Sequence, residues 1–247
     1  MMMSGGSWMS GWPDRISMNK PIYAEEYSAF SPFDRVALAQ LIRRLARPGC
    51  RMAEIGSWLG NGSTQIFLEE LRNYPGASLL CVDTWQGNPN VQRHQDIVSK
   101  YDVFGTFRMN VEMAGSPVRL QALMASSAES APLMADGAFD LVFIDADHSY
   151  ESVRNDVAAW RSKVRPGGIL CGHDCEGRVT HENRRLLDEN QHADTIPGIG
   201  THFAVIHPGS VLAVDAAFGG AASLWAESTV TLADGTPGLS TIWFVPT

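Results

Sequence analysis

The stretch AEIGSWLGNGSTQI at residues 53–66 sets three glycines, Gly56, Gly60 and Gly62, between a short apolar run and a helix-like pattern. A strand that enters a small-residue turn and leaves as a helix lets the backbone approach a ligand closely, with the first helical N–H groups still free to bind it. Such a unit commits the chain to an α/β fold with a nucleotide-like ligand at the turn. The spacing is G-x3-G-x-G, whereas a dinucleotide fingerprint reads G-x-G-x-x-G and a phosphate-gripping loop needs G-x4-G-K-[ST]. The ligand expected here is therefore not a pyrophosphate.

The rest of the chain repeats this alternation. SPFD opens a first helix, with Ser31 to cap, Pro32 for the first helical position and Asp34 near the positive helix end. Leu38, Leu41, Ile42 and Leu45 form its apolar stripe. RMAEIG, SLLCVD, VRLQALMA, FDLVFID and GGILCG read as strands, and STQIFLEELRN as a helix stopped by Pro75-Gly76. In HSYESVRNDVAAWRSKV, Tyr150, Val153, Val157, Trp160 and Val164 recur at helical spacing, as do Val211, Val214 and Phe218 later. ASLWAES and STIWFVP read as a closing antiparallel pair around the turn-like ADGTPG. The expected fold is Rossmann-like: a doubly wound seven-stranded sheet, mostly parallel with an antiparallel last strand, and helices on both faces. One domain over residues 31–247 is expected, with an insertion at about 176–206 and an N-terminal cover over residues 1–30, where Trp8, Trp12 and Tyr23 lie.

A net charge of -8 without a dense Lys/Arg cluster excludes nucleic acid as the main partner and favours a small molecule. No apolar run reaches the roughly 18 residues of a membrane span, and the first residues lack a signal-peptide pattern, so a cytoplasmic location is expected. Cys50, Cys81, Cys171 and Cys175 read as reduced core thiols, since CGHDC lacks the second ligand pair of a structural zinc site.

Ligands of an open parallel sheet bind outside the carboxyl ends of its strands. Those ends carry Glu54 and Gly56, Asp83 and Trp85, Ser126 and Ser127, Asp145 to His148, and His173-Asp174. Asp83 suits both hydroxyls of a ribose and Trp85 the face of an adenine. Glu54, in an apolar segment, calls for a cationic or hydrogen-bonding partner, which a ligand ammonium would supply.

The order E-x-G-x3-G-x-G, CVD, FDLVFIDADHSYESVRNDVAAW and RPGGILCGHD resembles a class I S-adenosylmethionine-dependent methyltransferase, of the small-molecule O-methyltransferase branch that carries an IDxDHxYExVxxD motif. The resemblance is close over residues 50–175 and looser at the carboxyl end. It implies that Gly56, Gly60 and Gly62, with Ser57 and Ser63 of the same turn, wrap the methionine part of S-adenosyl-L-methionine. It implies further that Asp83 holds the ribose, that Ser127 lies near the adenine, and that Glu54, Trp85 and Asp145 complete the cofactor site.

In the metal-dependent O-methyltransferases that the chain resembles, the ends of strands four and five hold a divalent ion. The matching residues are Asp145, His173 and Asp174, and the His-Asp pair departs from the Asp-Asp or Asp-Asn of those enzymes. An imidazole favours a softer ion, so Mn2+ joins Mg2+ as the expected metal. His148 and His173 are the candidate bases for an acceptor hydroxyl, with Asp145 beside them. His94, His181, His192, His202 and His207 read as surface or loop residues. The expected activity is methyl transfer to a hydroxyl of a sugar or natural product, and a homodimer is open to it. The alternatives are a nicotinamide oxidoreductase on a related sheet, disfavoured by the glycine spacing, and a catalytically silent cofactor-binding protein.

Overall fold

A computed structural model describes residues 30–247. The expected cover over residues 1–30 lies outside the described residues except for Phe30. Helix α1 (Pro32–Leu45) begins in a closed capping box: Ser31 Oγ accepts the Asp34 N–H at 3.1 Å while Asp34 Oδ2 accepts the Ser31 N–H at 3.1 Å. The chain then runs through β1 (Arg51–Ile55), α2 (Ser63–Leu71), β2 (Ser78–Asp83), α3 (Gln92–Lys100), α4 (Val103–Ala114), β3 (Arg119–Met124), α5 (Ser127–Ser130), β4 (Phe139–Ile144), α6 (Tyr150–Trp160) and β5 (Val164–Gly172). After β5 come α7 (Arg184–Glu189), a two-stranded antiparallel pair β6 (Ile196–Pro197) and β7 (Val205–Ile206), and helix α8 (Pro208–Phe218). Edge strand β8 (Ser223–Leu224), a second small pair β9 (Val230–Thr231) and β10 (Pro237–Gly238), and β11 (Trp243–Pro246) complete the chain.

The main sheet has seven strands in the order β3-β2-β1-β4-β5-β11-β8. β1 to β5 run parallel, and β11 is antiparallel to both neighbours, β5 and β8. This is the expected Rossmann-like architecture. The antiparallel strand lies one place in from the edge, because β8 and β11 are joined by a long connection that carries β9 and β10 rather than by a tight hairpin.

Alternate residues of the central strands serve opposite helical layers. Met52, Leu141, Phe143, Ile169 and Cys171 join one core with Leu38, Leu41 and Phe67, while Ala53, Val142, Ile144 and Leu170 join the other with Val153, Val157 and Trp160. All four cysteines are free and buried, as expected for core thiols. Among the described residues no helix is long and apolar enough to cross a membrane. The strand order reverses between β1 and β4, so their carboxyl ends open the crevice where a doubly wound sheet binds its ligand.

Candidate active site

The turn after β1 is folded tightly onto its own acids. Glu54, 0% exposed, accepts hydrogen bonds on Oε2 from Ser57 Oγ at 2.8 Å and Thr64 Oγ1 at 2.7 Å, with the Cys81 thiol at 3.3 Å. Its Oε1 is buried with no partner. Burial pushes the Glu54 carboxyl up, against the downward pull of Ser63, Thr64 and Ser57. Asp83 Oδ2 accepts the N–H groups of Ser57 at 2.8 Å and Trp58 at 2.7 Å, and Oδ1 that of Trp85 at 2.6 Å. Both oxygens of the expected ribose partner therefore organise the glycine turn. Trp58 and Trp85 pay for this with left-handed backbone, at φ 44° and 53°.

Gly56 shows why the turn needs glycine. At φ 93°, a Cβ there would sit 2.0 Å from the Asp145 carbonyl oxygen, so the ends of β1 and β4 touch only because the side chain is absent. Gly60 instead faces the ring of Phe107, and Gly62 is the N-cap of α2. Two of the residues expected at the cofactor have partners within the protein. Trp85 is not laid out along a ligand face: its ring is buried against Phe104 and Phe107, and its Nε1 donates to the Trp58 carbonyl at 2.8 Å. Ser127 Oγ accepts the Trp160 Nε1–H at 2.8 Å and bonds Asp156, so its hydroxyl serves the seam between α5 and α6.

Past the ends of β4 and β5 the expected acids and histidines converge. Asp174 Oδ1 lies 3.0 Å from His173 Nδ1 and Oδ2 lies 3.0 Å from His148 Nε2. Asp145 Oδ1 stands 3.5 Å from His173 Nδ1 and 3.9 Å from His148 Nε2. One ligand atom each from Asp145, His173 and Asp174 falls within a sphere of mutual separations up to 4.8 Å. Asp174 holds this position with φ 61°, a strained conformation for a residue with a side chain. The His173 ring stacks on Phe30 at 4.5 Å between centroids, which fixes its plane.

Four groups join this centre from outside the expected set. Asp34 Oδ2 lies 3.4 Å from His173 Nε2, and Asp34 Oδ1 is held by Ser240 Oγ at 2.7 Å and the Thr241 N–H at 2.9 Å. Asp194 Oδ1 bonds His148 Nδ1 at 2.9 Å. His207, expected in a loop or on the surface, is largely enclosed. Its Nδ1 bonds Glu176 Oε1 at 2.7 Å and stands 3.5 Å from Asp174 Oδ1. His94 also leaves the surface class, stacking on Trp58 at 4.6 Å, whereas His181, His192 and His202 are exposed as expected. Sequence order gives little warning of Asp34, Glu176, Asp194 and His207, since only the fold brings them to these strand ends. The one local hint is that Glu176 follows the His-Asp pair by two residues.

The charges of the centre are mutually dependent. Burial alone would drive His148 and His173 neutral, but Asp174, Asp145 and, at His148, Asp194 lift both well above the ordinary imidazole range. His207 is raised as well, by Asp174 and Glu176. In return burial, which would raise Asp145 and Asp174, is outweighed by the facing imidazoles, and both fall below the carboxylate range. Asp34 is pulled down to about 2 in the same way, with Ser31 and Ser240 assisting His173 against burial. The facing carboxylates thus favour the protonated form of each imidazole, and a cation among them would favour the neutral form. Two surface clefts, of about 480 Å³ around Arg161 and Phe218 and about 260 Å³ around Arg51 and Met134, contain none of these groups.

Comparison with known proteins places this geometry in context. The model of the methyltransferase-domain family matches residues 53–175. No curated protein matches the sequence. Among solved structures, a Klebsiella pneumoniae protein assigned as an O-methyltransferase is 20% identical, with a TM-score of 0.52 over 90% of this chain and 82% of that one. The O-methyltransferase from Bacillus cereus, solved in complex with S-adenosylhomocysteine, is 19% identical, with a TM-score of 0.50 over 88% of this chain and 82% of that one. The O-methyltransferase NovP is 14% identical, with a TM-score of 0.52 over 87% of this chain and 78% of that one. At these identities the likeness is one of fold.

Proposed function

We propose that the protein transfers a methyl group from S-adenosylmethionine to a hydroxyl of a small molecule, assisted by a divalent metal, a reading supported by the match of residues 53–175 to the methyltransferase-domain family. The observation that carries this reading is the contact of Gly56 with the Asp145 carbonyl, which joins the glycine turn directly to the acid and histidine centre. A cofactor held in the turn then has the acceptor site beside it.

The residues present fit both groups. Glu54 Oε1 is a buried acceptor without a partner beneath the turn, which a ligand ammonium would satisfy directly or through water. Asp83 retains unused lone pairs for a ribose hydroxyl while holding the turn. Asp145, His173 and Asp174 offer one imidazole and two carboxylates at ligand spacing, a donor set suited to Mn2+ better than to Mg2+. The sulfonium of bound S-adenosylmethionine supplies an electrophilic methyl group, and a bound dication supplies positive charge that lowers the pKa of an acceptor hydroxyl.

The chain's own contribution is position and proton removal. Positive charge arriving among Asp145, Asp174 and the imidazoles competes with the protons on His148 and His173, and favours their neutral forms. His148 Nε2, oriented by Asp194, would then accept the hydroxyl proton as the oxygen–methyl bond forms and the methyl–sulfur bond breaks, its electron pair leaving with S-adenosylhomocysteine. The test is calorimetry with S-adenosylhomocysteine, followed by transfer of labelled methyl to a panel of polyhydroxylated acceptors. Binding together with transfer to an oxygen supports the reading. Absence of S-adenosylhomocysteine binding overturns it, and binding without transfer to any acceptor favours the silent cofactor-binding protein.

A further inference from the structure

His207 has no task in the reading above, yet it is held as carefully as the residues that do. Asp174 meets three imidazoles at once, and it belongs to two ligand groups: Asp145, His173 and Asp174, and separately His148, Asp174 and His207. The ligand atoms of the second group all lie within 4.8 Å of one another, with Asp174 Oδ2 3.0 Å from His148 Nε2. Donors that share one ion at about 2.1 Å stand roughly 3.0 to 3.5 Å apart, so modest ring rotations suffice to seat an ion.

A second observation is independent of these separations. Each imidazole of the group has one ring nitrogen occupied by a carboxylate from outside it: Asp194 on His148 Nδ1 at 2.9 Å, and Glu176 on His207 Nδ1 at 2.7 Å. Glu176 Oε2 also accepts the His207 backbone N–H at 3.0 Å, which locks the ring to the entry of α8. Carboxylates in this relation fix the tautomer and turn the other nitrogen to a metal, as at most histidine-ligated sites. The backbone is equally constrained, because a Cβ on Gly209 would come within 2.3 Å of the His148 carbonyl oxygen. Glu176, Asp194 and His207 all lie beyond residues 53–175, so this half of the centre comes from chain that the family model does not match.

We propose that His148, Asp174 and His207 form a binding site for a transition-metal dication, distinct from the Asp145–His173–Asp174 position and joined to it through Asp174. Two imidazoles and one carboxylate with open positions suit zinc, iron(II), cobalt(II) or manganese(II), and disfavour magnesium, which prefers all-oxygen surroundings. The site depends on the histidines and their carboxylates alone and does not rest on methyl transfer; an ion held there would take the lone pair of His148 Nε2, so the base role of His148 belongs to the protein without that ion.

The experiment uses the metal-free full-length chain titrated with Co2+ and Zn2+, read by calorimetry and by the visible absorption of cobalt. The expected result is saturable binding with an imidazole-type cobalt spectrum. His207→Gln should weaken that ion at least a hundredfold and remove its band, while Glu176→Gln, which keeps all three ligands, should weaken it by about 10- to 100-fold. Circular dichroism of each variant guards against loss of fold, and the Glu176→Gln measurement stands if His207→Gln does not fold. No cobalt or zinc binding by the parent, or unchanged affinity and spectrum in His207→Gln, overturns the site. S-adenosylhomocysteine binding is read separately, so failure of the metal site and failure of the methyltransferase reading are distinguishable.

Discussion

Asp140 near the start of β4 and Asp145 just beyond its end sit on one strand, but they face different chemistry. Asp140 accepts Arg47 Nη2 at 2.7 Å, Arg165 Nε at 2.6 Å and the Arg51 N–H at 2.8 Å. Burial pushes its carboxyl up, but the Arg51 amide and the two guanidiniums push it down further, below the usual carboxylate range. Arginine cannot release its proton, so the cluster has one charge state and acts as a rivet between β1, β4 and β5. Asp145 faces His148 and His173, which can lose theirs, so its cluster can exchange protons with a substrate. Two carboxylates on one strand thus give a structural joint at one end and a reactive centre at the other. The identity of the cationic partner decides which.

The largest effect should come from the reactive end. Asp145→Asn keeps the side-chain shape but removes one negative charge, and turnover is expected to fall by about a thousandfold, equivalent to roughly 4 kcal/mol of barrier. S-adenosylhomocysteine affinity should stay within a few fold, and any fall in melting temperature should be modest, since the attraction lost to His173 and His148 is partly offset by relief of repulsion from Asp174. Kinetics and calorimetry on one preparation check this, and unfolding of the variant with no kinetic defect per folded molecule would erase the contrast.

At the other end the expectation inverts. Asp140→Asn should destabilise the fold by about 1 to 2 kcal/mol, because a carboxylate side chain only 5% exposed loses its charge beside two guanidiniums whose exposure, 54% and 32%, screens part of the attraction. Turnover per folded molecule should be unchanged. The sign with pH follows from the lowered carboxyl: its contribution is complete above the unfolded-state value of 3.8 and lost as pH falls through the lower folded-state value. Urea unfolding of parent and variant at pH 7 and pH 3 tests this, and the difference between them should shrink at the lower pH.

The sequence makes one end of this strand far more legible than the other. Asp145, His173 and Asp174 follow apolar runs, so their place at strand ends can be read from periodicity, and the glycine turn announces the first β-α unit. Asp34 reads only as a helix-cap acid, yet Ser240 and Thr241 from the far end of the chain turn it toward His173. Asp194, Glu176 and His207 sit in a stretch with no long element, where pattern gives no direction for a side chain. The region 92–114 yields no element by apolar pattern, although it folds as α3 and α4. In α3 only Ile97 is buried, which leaves no stripe to detect. Trp85 illustrates the opposite limit: its position after Asp83 is legible, but Phe104 and Phe107 of α4 draw its ring into the core.

A third aspartate sharpens the comparison by having neither kind of cation. Asp156 of α6 is buried with the Ser127 hydroxyl as its hydrogen-bond partner and Asp147 adding repulsion, and burial raises it to about 6. A raised carboxyl contributes stability that is complete below the unfolded value of 3.8 and lost as pH climbs through about 6. Above that window the folded state carries a buried, uncompensated charge. Asp156→Asn, which is neutral at every pH, should therefore gain between roughly 2 and 3 kcal/mol over the parent at pH 8 and almost nothing at pH 4. Thermal unfolding at the two pH values decides it. A variant equally stable to the parent at pH 8 would mean that Asp156 is solvated in solution.

The smallest effect belongs to the pair that shares the chemistry of Asp140 without its burial. On α7, Arg185 Nε meets Glu189 Oε1 at 2.7 Å across one helical turn, the same guanidinium–carboxylate contact and nearly the same distance as at Asp140. Here the arginine side chain is 88% exposed and the glutamate 57%. Water screens the attraction, and ordering two long side chains offsets much of what remains. Arg185→Ala should change stability by no more than about 0.5 kcal/mol. If urea unfolding instead gives a loss comparable to that of Asp140→Asn, contact type rather than burial governs these pairs. The rivet at the start of β4 would then owe its strength to the arginines alone. A negligible change assigns that strength to the burial of Asp140 between β1, β4 and β5.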